Sequence, residues 1–138
     1  MKTKLTALSI AAAALFATSA YAMHHELSVK ASDQDVSSGT VTASEIMAGA
    51  NGWMVVHRTD KSMKPGPVVG YAPLKKGSNT DVTAILTEPV KEGEMLMLML
   101  HGEDGGSKTG GFEYTLGAKE DGPVKADGKL IMAVIHAK

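Results

Sequence analysis

The 138 residues contain no cysteine, so the chain has no disulfide staple, no thiolate metal ligand and no thiol nucleophile. Serine chemistry is equally unsupported: there is no Gly-x-Ser-x-Gly elbow and no serine whose neighbours suggest activation by a histidine. His-Glu-x-x-His zinc spacing is missing, and Gly105-Gly-Ser-Lys-Thr-Gly-Gly111 lacks the spacing of a phosphate-binding loop and leads into no helix. Beyond residue 22 no apolar run is long enough to span a bilayer, and no stretch sustains helical periodicity. These absences argue against an enzyme and against membrane insertion of the region after residue 22.

What stands before residue 22 is different. Lys2 and Lys4 precede the apolar run Leu5 to Phe16, and Ala17-Thr-Ser-Ala-Tyr-Ala22 follows with small residues at the Ala20-Tyr21-Ala22 triplet. That order of charged, hydrophobic and small-residue regions predicts a secretory signal peptide over residues 1–22, cleaved to leave one domain over residues 23–138, periplasmic or secreted. Without Lys2 and Lys4, 12 basic side chains face 15 acidic ones, a formal charge of −3. This balance does not suit a nucleic-acid partner or an anionic membrane surface.

The strongest pattern in that domain is Glu94-Met-Leu-Met-Leu-Met-Leu-His101. Side chains alternate faces along a strand, so Met95, Met97, Met99 and His101 share one face and Leu96, Leu98 and Leu100 the other. Both faces are apolar, which predicts a central strand with packing partners on either side. Val or Ile would specify a strand core more tightly than Met. The methionine face therefore has two readings: flexible thioethers filling an irregular core, or soft sulfur next to an imidazole, a donor set suited to copper.

Around this strand the chain reads as short β segments and turns. Glu26 to Lys30 alternates as an edge strand, and Thr40-Val-Thr-Ala43 is a strand that either runs on to Met47 or gives way to a helical turn within Ala43 to Ala50. Trp53-Met-Val-Val-His57 is a strand with Trp53 expected in the core. Further strands are expected at Val68 to Ala72, Val82 to Leu86, Phe112-Glu-Tyr114 and Lys129 to His136, with Gly102 to Gly111 as a surface loop. Seven or eight such strands predict an all-β, antiparallel, immunoglobulin-like β-sandwich.

Chemistry-bearing residues are sparse. Val56-His57-Arg-Thr-Asp60 and Leu100-His101-Gly-Glu-Asp104 both end a strand in His-x-x-Asp. Each aspartate either orients its histidine for a metal or caps its own turn. His136 shares a face with Met132, and His24 and His25 sit beside the expected new N-terminus. Cleavage after Ala22 would put His25 third behind a free amine, a square-planar nitrogen set for Cu(II), whereas cleavage after Ala20 would destroy it. With seven methionines downstream of Met23, copper is the metal to expect, and His24, His25, His57, Met97, Met99, His101, Met132 and His136 are the candidate ligands. A straight strand spaces same-face residues by roughly 6.6–7 Å, so at most two of its methionines can reach one ion.

Ser32-Asp-Gln34, Gly52-Trp-Met-Val-Val-His57 with Pro65-Gly-Pro-Val-Val-Gly-Tyr71, Met99-Leu-His101, and Gly111-Phe-Glu-Tyr114 with Asp121-Gly-Pro-Val124 resemble a family of small exported β-sandwich domains found in bacterial and haloarchaeal envelope proteins. The resemblance implies the fold and carries no established activity. The expectation is a non-enzymatic exported β-sandwich that binds or handles copper, with a copper ion or an envelope protein as partner. The alternative is a structural or interaction module of the envelope that binds protein or carbohydrate through its loops.

Overall fold

A computed structural model of the protein describes residues 26–138; the expected leader, His24 and His25 lie outside them. Among the described residues there is no helix, and the architecture is an antiparallel β-sandwich. The first sheet has three strands in the order β1 (Ser28–Lys30), β2 (Thr40–Ala48), β5 (Gly77–Ile85). The second has four, β4 (Val68–Leu74), β3 (Gly52–Thr59), β6 (Met95–Gly102), β9 (Met132–His136). A two-stranded hairpin, β7 (Lys125–Ala126) and β8 (Lys129–Leu130), completes the set. Its turn is Asp127-Gly128, both with positive φ (51 and 75°), as a two-residue hairpin turn that follows strand twist requires.

The methionine-leucine segment forms β6, between β3 and β9, as its two apolar faces demand. Leu96, Leu98 and Leu100 point between the sheets, where they join Met54 and Val56 of β3, Ile135 of β9 and Val41, Ala43 and Ile46 of β2 in the core. Burial in β2 falls on Val41 and Ala43 and then on Ile46 and Ala48, so the inward phase slips by one residue near Ser44. Opposite that slip Asp81 of β5 has φ 50°. The slip explains why the alternation faded in the sequence after Ala43; the segment is one continuous strand, not a helical turn.

Two other expectations change. Phe112-Glu-Tyr114 is not a strand, because it belongs to a long cover running from Glu103 to Val124 that lies over the outer face of the second sheet and pairs with β6 only through the single bridge His101–Pro123. Lys129 to His136 is two strands, broken at Ile131, whose carbonyl accepts the Leu100 N–H at 2.9 Å. Trp53 is buried, but on the outer face under Tyr71 and Phe112, not between the sheets. The free side of β9 is also closed: the Gln34 carbonyl accepts from Lys138 N, and the Gln34 amide pairs with both backbone groups of Thr42 at 2.8 Å, tying the two sheets together.

Candidate metal centre

Pairing of β3 with β6 builds a second buried layer on the face away from the core. Successive rungs are Trp53 opposite His101, Val55 opposite Met99, and His57 opposite Met97. Every one of these side chains is buried, and both histidines are wholly inaccessible at 0% exposure. Seen along the strands, His57 and His101 stand one rung either side of Val55 and Met99, and they lean toward each other across that rung. Their ring planes are 29° apart and meet edge to edge, with centroids 5.4 Å apart and Nε2 of His57 only 3.3 Å from Nε2 of His101.

The protonation of this pair follows from what the other two ring nitrogens do. His57 Nδ1 is 2.8 Å from the carbonyl oxygen of Gly66, and His101 Nδ1 is 2.6 Å from that of Asp121. A carbonyl oxygen only accepts, so both Nδ1 atoms carry the hydrogen and donate it. In neutral imidazoles that leaves a lone pair on each Nε2, and the two lone pairs face each other across 3.3 Å with nothing to share.

Two loops impose this tautomer. Gly66 N–H donates to Arg58 O at 2.7 Å, which folds the β3–β4 connection back on the end of β3. A Cβ at Gly66 would come within 2.6 Å of that same Arg58 oxygen, so the fold-back needs glycine. On the other side Asp121, 0% exposed and with φ 47°, fastens the cover. Its Oδ1 accepts from Asp104 N at 3.2 Å, its Oδ2 accepts from Glu113 N at 2.8 Å, and its own N–H donates to Asp104 O at 2.8 Å. Tyr114 is thereby held edge-on over His101, with centroids 4.5 Å apart, and closes the layer from above.

The aspartates of the two His-x-x-Asp echoes therefore do not orient their histidines. Asp60 caps its own turn by accepting from Ser62 N at 2.8 Å, and Asp104 serves the cover through its backbone. Backbone carbonyls do the orienting, one of the partners, with carboxylates and water, that hold metal-binding histidines in place. Gly66 and Asp121 both fall in stretches that carry the family resemblance, but no sequence signal tied either carbonyl to a histidine; in the structure Asp121 is set apart by its φ of 47°.

The remaining candidates divide. Met99 is on the rung between the two imidazoles, Met97 is directly opposite His57, and Met132 is opposite Met99 on β9. His136 is not with them: it is opposite Met95 at the far end of β9, with β6 between it and His57, and its Nδ1 lies 3.6 Å from Asp33. No group of three or more His, Cys, Asp or Glu converges among the described residues; on the rungs of the pair the other side chains with a donor atom are Met97, Met99 and Trp53, and of these the thioethers alone carry a lone pair for a metal.

Burial pushes the His57 ring below its ordinary value against the opposing pull of the Gly66 carbonyl. It pushes His101 down to about 4, opposed by the Asp121 carbonyl and helped by neighbouring His57. A histidine whose folded pKa is depressed refuses a proton that the unfolded chain accepts, so its stability contribution is intact above 6.5 and is lost as pH falls toward 4. His101 alone is expected to cost roughly 3 kcal/mol across that window, with His57 acting in the same direction. Urea unfolding of the metal-free protein from about pH 7 to about pH 5 checks this, because carboxylates scarcely titrate there. A flat profile, or one unchanged by His101→Ala, would contradict it.

These features define an all-β sandwich domain with a buried, carbonyl-oriented bis-histidine pair beside a methionine stripe. The chain belongs to the family described as a domain of unknown function, DUF7282, whose model matches residues 27–137. No curated protein and no solved structure matches it.

Proposed function

We propose that this domain is a non-enzymatic copper protein of the periplasm or the extracellular space, holding one Cu(I) ion between His57 and His101 with Met99 as the third donor. One observation carries the reading: two Nε2 lone pairs point at each other from 3.3 Å in a buried site. Such a contact is repulsive unless a cation lies between them. A shared proton would make one ring an imidazolium, which burial disfavours. A metal ion has no such difficulty. Two nitrogens at ~2.0–2.1 Å from one ion with tetrahedral angles stand about 3.3 Å apart, whereas a linear two-coordinate ion would hold them about 4 Å apart. The observed separation thus fits a bent pair with room for a further ligand.

The donor set selects the ion. Neutral imidazoles and thioethers supply no negative charge, so a monovalent ion is easier to bury among them than a divalent one. Thioethers favour Cu(I), while zinc would draw on thiolates, which the chain lacks, or on carboxylates, and the buried carboxylate nearby, Asp121, is engaged by the Asp104 and Glu113 N–H groups. Met99 is preferred over Met97 because its rung lies between the two histidines. The envelope setting, with an envelope protein as recipient of the ion, rests on the leader-like residues 1–22 and on the resemblance noted above.

Anaerobic titration of the purified protein with Cu(I), followed by X-ray absorption at the copper edge, tests this directly. The expected result is one tight site with two nitrogen neighbours and at least one sulfur. A first shell without sulfur, or zinc binding as tightly as Cu(I), would overturn it.

A further inference from the structure

The outer-face stripe continues past the histidine pair. Beyond Met97, which is fully buried, β6 brings Met95 to the edge of the layer, where it is only partly buried and lines a cleft of 590 Å³ together with Arg58, Asp60, Lys61 and Glu94. Directly across from Met95 on β9 stands His136. Its backbone N–H donates to Asp33 Oδ1 at 2.8 Å, and that same oxygen is 3.6 Å from the ring Nδ1. A carboxylate beside Nδ1 favours the hydrogen there and leaves the Nε2 lone pair available to a metal. The ring is more than half exposed, with side-chain accessibility 56%. Residues directly opposite in an antiparallel pair have Cβ atoms about 4.5–5.5 Å apart, close enough for a thioether and an imidazole to share one ion.

The histidine pair itself offers no direct way in. Both rings are at 0% exposure, Tyr114 lies over them, and Asp121 fastens the cover with three hydrogen bonds. Along the strand, however, soft donors follow one another from the surface inward. Met95 is one same-face step, roughly 6.6–7 Å, from Met97, and Met97 is directly opposite His57.

We propose that Met95 and His136 form a second, solvent-accessible Cu(I) site that takes the ion up and passes it by way of Met97 to the buried His57–His101 pair. This inference rests on the copper reading of that pair. Each step exchanges one neutral donor for another: the ion loses His136 Nε2 as it gains the Met97 thioether, and loses Met95 as it gains His57 Nε2. No electron and no proton moves.

The test is the rate of loading. Trp53 is the chain's one tryptophan and is the cross-strand partner of His101, so its emission reports on the inner site. After mixing with Cu(I) as its acetonitrile complex under anaerobic conditions, Met95→Leu and Met95→Leu/His136→Ala are expected to change Trp53 emission at least tenfold more slowly than wild type. Their final Cu(I) affinity should stay within about twofold, and Met95→Leu preserves side-chain volume. A second measurement isolates the outer site: His57→Ala/His101→Ala should still take up one weaker Cu(I) that shifts the His136 ring resonances, and should lose it on adding Met95→Leu. Wild-type loading rates in the Met95 variants, or no His136 shift in the double histidine variant, would overturn the relay while leaving the inner site standing. If the wild type binds no Cu(I) at all, the inner site and the relay fail together.

Discussion

Replacing His57 and His101 together by alanine is expected to lower Cu(I) affinity at the inner site by at least ~1000-fold, about 4 kcal/mol. Two of its three proposed donors are then gone, and the Gly66 and Asp121 carbonyls that oriented them cannot substitute. Those carbonyls also lose their donors, and each buried acceptor left alone costs roughly 1–3 kcal/mol, so the double variant must be shown to be folded before its affinity is read. Met99→Leu is the milder companion. It keeps the volume of a fully buried side chain and removes only the sulfur. Its Cu(I) affinity is expected to fall about tenfold while its unfolding free energy stays within about 1.5 kcal/mol of wild type. Competition titration against a Cu(I) chelator measures both variants. Unchanged affinity in the double variant would end the copper assignment, and unchanged affinity in Met99→Leu would move the third ligand elsewhere.

Leu98→Ala should cost about 2–5 kcal/mol of stability, the range for a large buried side chain truncated where neighbours cannot collapse. Leu98 is at 0% exposure in the central strand of the four-stranded sheet and belongs to the core between the sheets. Against a typical domain stability of about 5–15 kcal/mol this is a large fraction. Urea denaturation with metal absent measures it, and a loss under about 1 kcal/mol would mean that the leucine face is not the packed one. The contrast with Met99→Leu is informative, since neighbouring residues on the same strand are then separated into one that holds the sheets and one proposed to hold an ion.

Much of this was legible in the sequence, and for a simple reason: a period of two survives translation into structure without change. The alternation in Glu94 to His101 gave the central strand, both its faces and the separation of methionine from leucine. Turn residues gave the other long strands. What failed was local where a competing effect intervened. Phe112 and Tyr114 have the residue types of a strand, but they are spent on stacking with Tyr71 and covering His101, so that stretch stays irregular. The repeated His-x-x-Asp marked the two histidines that meet, although neither aspartate orients its histidine. His57 and His101 are 44 residues apart, and no property of either neighbourhood says that two rings will meet across one rung. That meeting depends on strand register, and the tautomer that gives it meaning depends on two carbonyl groups, which every residue has and no sequence marks.

The pairing of β3 with β4 is regular from Gly52 to Val56, where Val56 faces Gly70, and then shifts so that His57 faces Val68. Val69 is the supernumerary residue, and it turns into the core at 0% exposure. This single bulge sets the phase between a core-facing strand and the Gly66 carbonyl that holds His57. Shortening the segment Gly66 to Gly70 by one residue would draw that carbonyl about 3.3 Å along the chain, beyond hydrogen-bonding reach of the ring. Connections between strands are ordinarily where a protein tolerates changes of length. Here the length of the connection itself positions the carbonyl, so relatives that keep both histidines but lose or gain a residue in this stretch would be expected to have lost the paired arrangement of the imidazoles.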